Sequence, residues 1–213
     1  MLQTYYDRLV EAFTTGEYYR EVYNAKQEFF EKSGIVYEED PEYEQRMCIF
    51  MDWYLFDRDL PGFDLPPIKL FYRNNKDSLD TESQKVFKEL TEGVHSIFQM
   101  KRGRFFKKGF VIVDLFSGKQ YPVNDPKINQ AFSRGDIFEA SLLKYKGEFE
   151  FSKGFCFHPM EMRGFILGEI KKVRYQDKGK HTKLIFQLSN MKLKHQRYQH
   201  IEVKHVYRFD SKF

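Results

Sequence analysis

Hydrophobic positions in roughly the first ninety residues recur every three or four places, which is the spacing of amphipathic helices. The pattern predicts helices over residues 2–13, 17–32, 68–72 and 81–92. A further helix begins after Asp40-Pro41 and ends near residue 57. Its segment 47–56 is apolar on all sides except for Asp52. Since such a helix is covered by its neighbours, we predict that it lies at the centre of the N-terminal part.

The pattern changes near Gly93, where apolar and polar positions begin to alternate and turn residues follow at short intervals. Strands are predicted over residues 96–101, 109–116, 119–123, 136–145, 148–152 and 155–158. Ser117-Gly118 and Lys146-Gly147 supply tight turns, as in a small barrel or a strongly curved sheet. After Pro159 the helical spacing returns, with helices predicted up to Val173 and around residues 184–191.

These patterns predict an α+β fold with an N-terminal helical part, a central small antiparallel barrel or curved sheet, and C-terminal helices. We divide the chain into a helical subdomain of residues 1–95, a β-rich subdomain of residues 96–158 and a basic helical C-terminal segment of residues 159–213. The last segment either stands apart or packs on the rest as one domain.

Composition indicates a folded, soluble protein, because the chain of 213 residues is 41% hydrophobic, 18% aromatic and 31% charged. Cys48 and Cys156 have no CxxC partner, so the sequence predicts neither a disulfide framework nor a thiolate zinc site. No signal peptide and no apolar run of membrane-spanning length is recognised. We therefore expect a cytoplasmic protein that does not associate with a membrane.

Charge is divided unevenly along the chain. Residues 1–100 carry a net charge of −9 and residues 101–213 a net charge of +13, which together give the overall +4. Such asymmetry points to an acidic partner of the basic half or to two surfaces that complement each other. The expected partners are accordingly RNA or another polyanion, or a protein.

A basic aromatic stretch over residues 101–108 is the first candidate site. Cations neutralise phosphates and aromatic faces stack on bases, so this mixture is typical of surfaces that bind single-stranded nucleic acid. A basic hairpin tip with its two phenylalanines tucked into the sheet would produce the same string, and this alternative stays open. The candidate nucleic-acid-binding residues of this stretch are Lys101, Arg102, Arg104, Phe105, Lys107 and Lys108.

The segment from residue 171 to residue 213 is the second candidate, with twelve Lys or Arg against three acidic residues. It matches no nucleic-acid-binding motif, so its signal is electrostatic only. A solvated helical face, or a surface that docks on the acidic half, explains it equally well. Its histidines do not pair with carboxylates at metal-ligand spacing, and no metal site is predicted. The candidate nucleic-acid-binding residues here are Lys171, Lys172, Arg174, Lys192, Lys194 and Arg197.

Two other groups have the residue types of catalytic sites. Asp52 and Asp57 are five positions apart, about 140° around a helix, so they do not converge, and we expect Asp52 to be a buried carboxylate with a hydrogen-bonding or cationic partner. Cys156 and His158 fall on one face of a strand, the minimum for a nucleophilic pair, but no third group is identifiable. We assign no catalytic residue.

The chain contains no phosphate-binding loop, no nucleophile elbow and no HExxH motif, and no cofactor is predicted. The run of residues 50–57, together with Ser96-Ile97-Phe98, residues 114–118 and residues 134–138, resembles uncharacterised bacterial proteins with an aromatic F-x-D-W-x-x-F-D block. Some of those proteins look like carriers of a C-terminal cysteine-rich SEC-C zinc module. The resemblance covers about residues 45–160 and implies no function, and this chain has no cysteine-rich module.

Our leading hypothesis is a non-enzymatic protein that binds RNA or another polyanion through its basic surfaces. The first alternative is a protein-interaction or structural module with complementary acidic and basic surfaces. The second is an enzyme of unknown reaction that uses Asp52 or the Cys156/His158 pair, which would require a concave pocket beside those residues.

Overall fold

A computed structural model of the chain describes residues 1–102, 110–123 and 132–210. Five helices precede the sheet, as the hydrophobic spacing predicts. They are α1 (Leu2–Thr14), α2 (Tyr19–Ser33), α3 (Tyr43–Phe56), α4 (Pro67–Asn75) and α5 (Thr81–Leu90). Sequence signals fix several ends: Pro67 stands in the first turn of α4, and the Asp80 carboxylate accepts a hydrogen bond from the Ser83 N–H to cap α5.

The described strands form a curled, five-stranded antiparallel sheet, which confirms the prediction of a curved sheet between two helical parts. The strands are β1 (Val94–Arg102), β2 (Phe110–Asp114), β3 (Gln120–Val123), β4 (Ile137–Tyr145) and β5 (Glu148–Phe157), and their order is β3-β2-β1-β4-β5. In the register of the first hairpin, Phe98 lies opposite Asp114 and Lys101 opposite Val111.

Three helices follow the sheet: α6 (Arg163–Val173), α7 (Lys178–Arg197) and α8 (Val203–Val206). The helix predicted around residues 184–191 is confirmed as part of α7, which begins at Lys178, where the Asp177 carboxylate accepts from the Lys180 N–H. By contrast, the two strands predicted at residues 148–152 and 155–158 are one strand, β5, because Gly154 continues it instead of ending it.

The chain forms two compact units. Unit 1 comprises Met1–Phe29, Glu38–His95 and Ser141–Gly154, and unit 2 comprises Phe30–Tyr37, Ser96–Ala140 and Phe155–Phe213. Strands β1, β4 and β5 contribute residues to both units. The division of the chain into domains at residues 95 and 158 stays a prediction.

Unit 1 is built around α3, as the all-round apolar segment predicts. The helix buries seven side chains, which are Arg46, Ile49, Phe50, Asp52, Trp53, Tyr54 and Leu55. The Phe29 ring packs against Phe50 and Trp53 at centroid distances of 5.7 and 5.4 Å. The Tyr54 hydroxyl donates to the Phe13 carbonyl over 2.8 Å, so this central helix also satisfies its buried polar groups.

Unit 2 packs α6 and α7 against strand residues. Its main apolar cluster joins Ile97 and Ile137 of the sheet to Ile166, Ile170 and Leu188 of the two helices. A second, aromatic cluster surrounds Phe138 and consists of the rings of Phe98, Phe132, Phe155 and Phe157. The abundance of aromatic residues in the sequence thus supplies core volume in both units.

Candidate functional site

Asp52 carries a buried carboxylate at the centre of unit 1, with 1% of the residue exposed. The Tyr6 hydroxyl donates to its Oδ1 atom over 2.8 Å and the Ser152 hydroxyl donates to the same atom over 2.7 Å. The second oxygen, Oδ2, is buried and finds no hydrogen-bond partner among the described residues. Because a buried polar atom without a partner costs free energy, this oxygen marks Asp52 as more than a packing residue.

Three elements bring this group together: Tyr6 comes from α1, Asp52 from α3 and Ser152 from β5. A glycine two residues after Ser152 allows the strand to approach the helix closely. A Cβ atom at Gly154 would lie 2.7 Å from the Ile49 backbone nitrogen, which only a residue without a side chain avoids. The close approach of β5 to α3 is what places the Ser152 hydroxyl within hydrogen-bond distance of Asp52.

Burial raises the pKa of Asp52 to about 6, while the hydrogen bonds from Ser152 and Tyr6 and the positive charge of His95 act in the opposite direction. Burial and the neighbouring Asp52 charge both raise the pKa of the Tyr6 hydroxyl. Near neutral pH the carboxyl is therefore ionised, and both hydroxyls keep their protons and direct them at Oδ1.

His95 and Asp57 form a second buried polar pair in unit 1. The His95 Nδ1 atom lies 2.8 Å from Asp57 Oδ2, and the side chains are 2% and 9% exposed. Asp57 follows the last residue of α3, so the same helix holds both carboxylates while directing them to different partners. The sequence prediction that Asp52 and Asp57 do not act on one common group is consistent with these separate contacts.

A cavity of about 860 Å³ opens beside Tyr6 and Ser152, the two residues that bind Asp52, and all the residues that line it belong to unit 1. Tyr6 and Ser152 form part of its wall, and the remainder is mostly apolar, including Met1, Met47 and Met51. Ligand cavities in proteins typically span about 300 to 1,000 Å³ and combine an apolar lining with a few polar groups. This cavity has both properties.

Charged residues of both signs also line the cavity, namely Asp7, Glu150, Lys146 and Lys153. The Lys146 ammonium is engaged by Glu82 at 3.2 Å. Burial raises the pKa of the Cys48 thiol, and the nearby Asp52 charge raises it further, so this lining cysteine is held as a neutral thiol. The lining thus favours the uncharged part of a ligand in contact with Cys48 and the methionines.

The first set of predicted nucleic-acid-binding residues falls mostly outside the described part of the chain. Arg104, Phe105, Lys107 and Lys108 lie there, together with the Arg102 side chain. Lys101 is exposed near the end of β1, opposite Val111 at the start of β2. The turn of residues 117–119 follows the other end of β2. Lys101 is therefore separated from this turn by at least about 10 Å of strand.

The second set is divided between the C-terminal ends of two helices. Lys171 and Lys172 lie in the last turn of α6 and Arg174 follows it, whereas Lys192, Lys194 and Arg197 lie in the last turns of α7. Lys178 and Lys194 are separated by roughly 24 Å at the rise of 1.5 Å per residue. The predicted cations of unit 2 therefore do not form one continuous cluster in the described residues.

One cation of this set, Arg174, approaches a turn of the sheet, while Lys172 pairs with Glu169 at 2.6 Å. A Cβ atom on Gly118 would lie 3.4 Å from the Arg174 Nη2 atom, so the guanidinium is beside the turn that also carries Lys119. At the other end of α7, Arg197 Nη2 donates to the Ile35 carbonyl over 2.8 Å, and its guanidinium lies 5.2 Å from the Tyr37 ring centroid. Arg197 has a structural role there as well as a positive charge.

Cys156 and His158 are both buried in unit 2, with 1% and 7% of each residue exposed. The His158 Nδ1 atom lies 3.1 Å from the Tyr207 hydroxyl, which belongs to the buried core near α8. This environment favours a packing role for the pair. Across residues 1–102, 110–123 and 132–210, no group of three His, Cys, Asp or Glu side chains is arranged to hold a metal ion. Within the same ranges no helix has the length and apolar character needed to cross a membrane.

Sequence reasoning identified Asp52 but not the residues that bind it. Ser152 ends an alternating run whose other polar members are solvent-facing glutamates, and Tyr6 is one of two adjacent tyrosines in an amphipathic helix. His95 lies near Gly93, where the helical pattern changes to a strand pattern, so its face could not be assigned from the sequence. The only available signal was Gly154, which interrupts an otherwise bulky strand and marks a close backbone approach.

A profile described as a family of unknown function, DUF7986, matches residues 3–199 of the chain. No curated protein and no solved structure matches the chain significantly. The family match includes all the elements that build the Asp52 group and most of the cavity wall. It carries no information on an SEC-C module, so the resemblance through the aromatic block stays a prediction.

Proposed function

The chain belongs to this family of unknown function, and we propose that it is a binding protein whose cavity in unit 1 takes a small amphipathic molecule. The observation that carries the proposal is the position of Tyr6 and Ser152. Both line an otherwise mostly apolar cavity, and both are fixed by hydrogen bonds to the buried Asp52. Such a wall combines an apolar surface for a ligand body with a preorganised polar point for one ligand group.

The methionines favour a flexible, apolar ligand body. Met1, Met47 and Met51 present unbranched, polarizable side chains that adapt to irregular shapes, and Phe151 adds an aromatic face. Burying a methylene group contributes about 0.8 kcal/mol, so a chain of several carbons is enough for measurable affinity. The nearby polar group then selects among molecules with similar bodies.

A fluorescent apolar probe tests this proposal. N-phenyl-1-naphthylamine, which brightens in apolar surroundings, is expected to bind the protein saturably. Met47→Trp places a larger side chain in the cavity wall and should weaken binding at least about tenfold, or about 1.4 kcal/mol. Thr4→Trp, on an exposed position of α1 that does not line the cavity, is the matched control and should bind as the wild type does. Equal binding by both variants would place the probe elsewhere, provided that their thermal unfolding is unchanged.

We also propose, as a second function, that unit 2 binds RNA or another polyanion. The supporting observation is the run of cations at the end of α6, where Lys171 and Lys172 lie in the last turn and Arg174 follows beside the turn of Gly118. Several cations at one place neutralise consecutive phosphates, whereas isolated ones do not. Lys101, Arg102, Arg104, Phe105, Lys107, Lys108, Lys192, Lys194 and Arg197 stay predicted contacts of the same polyanion.

Salt dependence distinguishes this function from nonspecific attraction by a basic surface. Labelled single-stranded RNA is titrated in fluorescence anisotropy with a Lys171→Ala/Lys172→Ala/Arg174→Ala variant and with a control that removes three exposed lysines of unit 1, Lys69, Lys85 and Lys88. Loss of phosphate contacts should lower the salt slope by about 0.7 for each contact, in the first variant only. Equal slopes in the two variants would argue against a site at the end of α6.

A cytoplasmic location and a bacterial source stay predictions from the sequence. The ligand-binding proposal depends on neither.

A further inference from the structure

We propose that the cavity selects ligands that donate a hydrogen bond, such as an alcohol or an amine on an apolar body, over ligands that only accept one. The inference rests on the proposed function, since it names the ligand group that meets Tyr6 and Ser152. It goes further because it assigns a direction to the hydrogen bond.

The direction follows from the protons of the two hydroxyls. Each hydroxyl has one hydrogen to donate and two lone pairs to accept with. The Tyr6 and Ser152 hydroxyls both donate their hydrogen to Asp52 Oδ1, at oxygen–oxygen distances of 2.8 and 2.7 Å. What remains for a ligand at these two hydroxyls is acceptor capacity alone. A ligand oxygen that lacks a hydrogen would face two oxygen lone pairs and gain no bond there.

Asp52 enforces this arrangement because it is buried and fixed within the fold. It accepts both hydroxyl hydrogens on one oxygen, and its Oδ2 atom has no hydrogen-bond donor among the described residues. Releasing either hydroxyl hydrogen toward a ligand would leave the carboxylate still less satisfied, at a cost typical of an unpaired buried charge. The hydroxyls therefore act as positioned acceptors while Asp52 is ionised.

Other groups around Asp52 also act on its charge. The titratable groups that influence its charge or respond to it are Tyr6 from α1, Cys48 from α3 and His95 from β1, with Lys153 from β5 acting on Cys48. His95 is held at 2.8 Å by Asp57. Hydrogen bonding from Ser141 of β4 also acts to lower the pKa of the carboxyl. A ligand donor therefore forms its hydrogen bond with the remaining lone pairs of the Tyr6 and Ser152 hydroxyls, and not with the buried Asp52 Oδ2.

Two isomeric ligands test the inference. 1-Octanol and heptyl methyl ether have the same atoms and similar apolar bodies, but only the alcohol can donate a hydrogen bond. Each is titrated against the bound fluorescent probe at pH 7.5, where Asp52 is ionised. We expect the alcohol to displace the probe at about one tenth of the ether concentration, which corresponds to one hydrogen bond formed with a charge-supported acceptor.

A Tyr6→Phe/Asp52→Leu/Ser152→Ala variant removes both acceptors together with the carboxylate that they bind, and should reduce the preference for the alcohol to less than about twofold, with little change in the affinity for the ether. Gln3→Ala, which changes another lining residue of α1, should keep the preference. At pH 5 the Asp52 carboxyl is protonated and can donate to one of the two hydroxyls, whose own hydrogen then becomes available to a ligand acceptor. The preference of the wild type for the alcohol over the ether should therefore decrease at this pH.

The outcomes separate this inference from the proposed function. If the probe binds and both isomers displace it equally from the wild type, the cavity binds ligands but the donor selectivity is wrong. If the ether is preferred, the hydrogen-bond direction is reversed and the inference is overturned. If neither the probe nor the isomers bind, the proposed function itself fails.

Discussion

At the scale of single residues, the buried carboxyl group of Asp52 lowers the stability of the fold and at the same time fixes the two hydroxyls of the cavity wall. It is buried in unit 1, it shares one oxygen between two hydroxyls, and its other oxygen has no partner among the described residues. Such a group weakens the fold, because a hydrophobic residue of similar size would often stabilise the same site. Its presence therefore suggests a function. This cost predicts a measurable dependence of stability on pH.

Replacing the carboxyl by an amide should remove that dependence. Because the pKa of Asp52 is raised from 3.8 to about 6 in the folded state, the folded protein retains a proton that the unfolded chain has released between these pH values. The contribution is fully present below pH 3.8 and is lost as the pH rises through 6. We expect the free energy of unfolding of the wild type, relative to Asp52→Asn, to fall by about 2.4 kcal/mol between pH 4 and pH 7.

Urea unfolding of both proteins at several pH values measures this difference. Asp59→Asn, which neutralises an exposed carboxylate just after α3, controls for the simple loss of a charge. Parallel stability profiles for the wild type and Asp52→Asn would show that Asp52 does not carry the proposed cost. A profile for Asp59→Asn that departs from the wild type would attribute the effect to net charge.

Sequence reasoning reaches its limit at this same scale. A single aspartate in an apolar helix already implies a buried carboxylate that needs a partner, and the structure supplies two hydroxyl partners. Ser152 lies one hundred positions away along the chain, and nothing in its neighbourhood distinguishes it from the solvent-facing residues of the same strand. Contacts between distant segments depend on how the elements pack, which periodicity does not encode.

At the scale of elements, the packing of β5 on α3 determines whether the site exists. The strand passes so close to the helix that a Cβ at position 154 would meet the Ile49 backbone nitrogen at 2.7 Å and its Cα atom at 3.0 Å. Backbone atoms of a buried helix cannot move aside as a flexible side chain would. The helix and the strand can therefore pack at this distance only because residue 154 has no Cβ atom.

Gly154→Ala should consequently lower the free energy of unfolding by at least about 2 kcal/mol and impair binding of the fluorescent probe. Gly168→Ala is the matched control, because that glycine lies in α6 with nothing within 4 Å of its Cβ position. There the same substitution should stabilise the protein by about 1 kcal/mol, since alanine favours a helix. Chemical denaturation measures both, and a neutral Gly154→Ala would contradict the close approach.

Elements with a strong hydrophobic period were the predictable part of the fold. The all-round apolar α3, the amphipathic α1 and α5, and the alternating strands lie close to their predicted positions. Errors occurred where local signals compete with tertiary packing. The pattern divided residues 148–158 into two strands, yet the packing of Gly154 against α3 keeps β5 continuous, and α7 starts at Lys178, earlier than its hydrophobic face indicates.

At the scale of the whole molecule, the charge asymmetry of the sequence belongs to the two compact units. Unit 1 has 21 acidic and 13 basic side chains, a net charge of −8, and unit 2 has a net charge of +12. Within unit 1, lysines from the β4–β5 hairpin partly offset the acidic segment, because Lys144 pairs with Glu92 at 2.6 Å and Lys146 with Glu82 at 3.2 Å. The cavity therefore lies in the acidic unit, and the predicted polyanion contacts lie in the basic one.

The methionines of the chain offer the most direct test of the central claim, that the cavity of unit 1 is the ligand-binding site. Of the seven methionines, Met1, Met47 and Met51 line the cavity, whereas Met100, Met160, Met162 and Met191 do not and belong to unit 2. In a two-dimensional NMR spectrum of methyl-¹³C-methionine protein titrated with 1-octanol, the account predicts saturable shifts for the first three methyl signals and stationary signals for the other four. Shifts confined to unit 2, or no shift at a saturating octanol concentration, would contradict it.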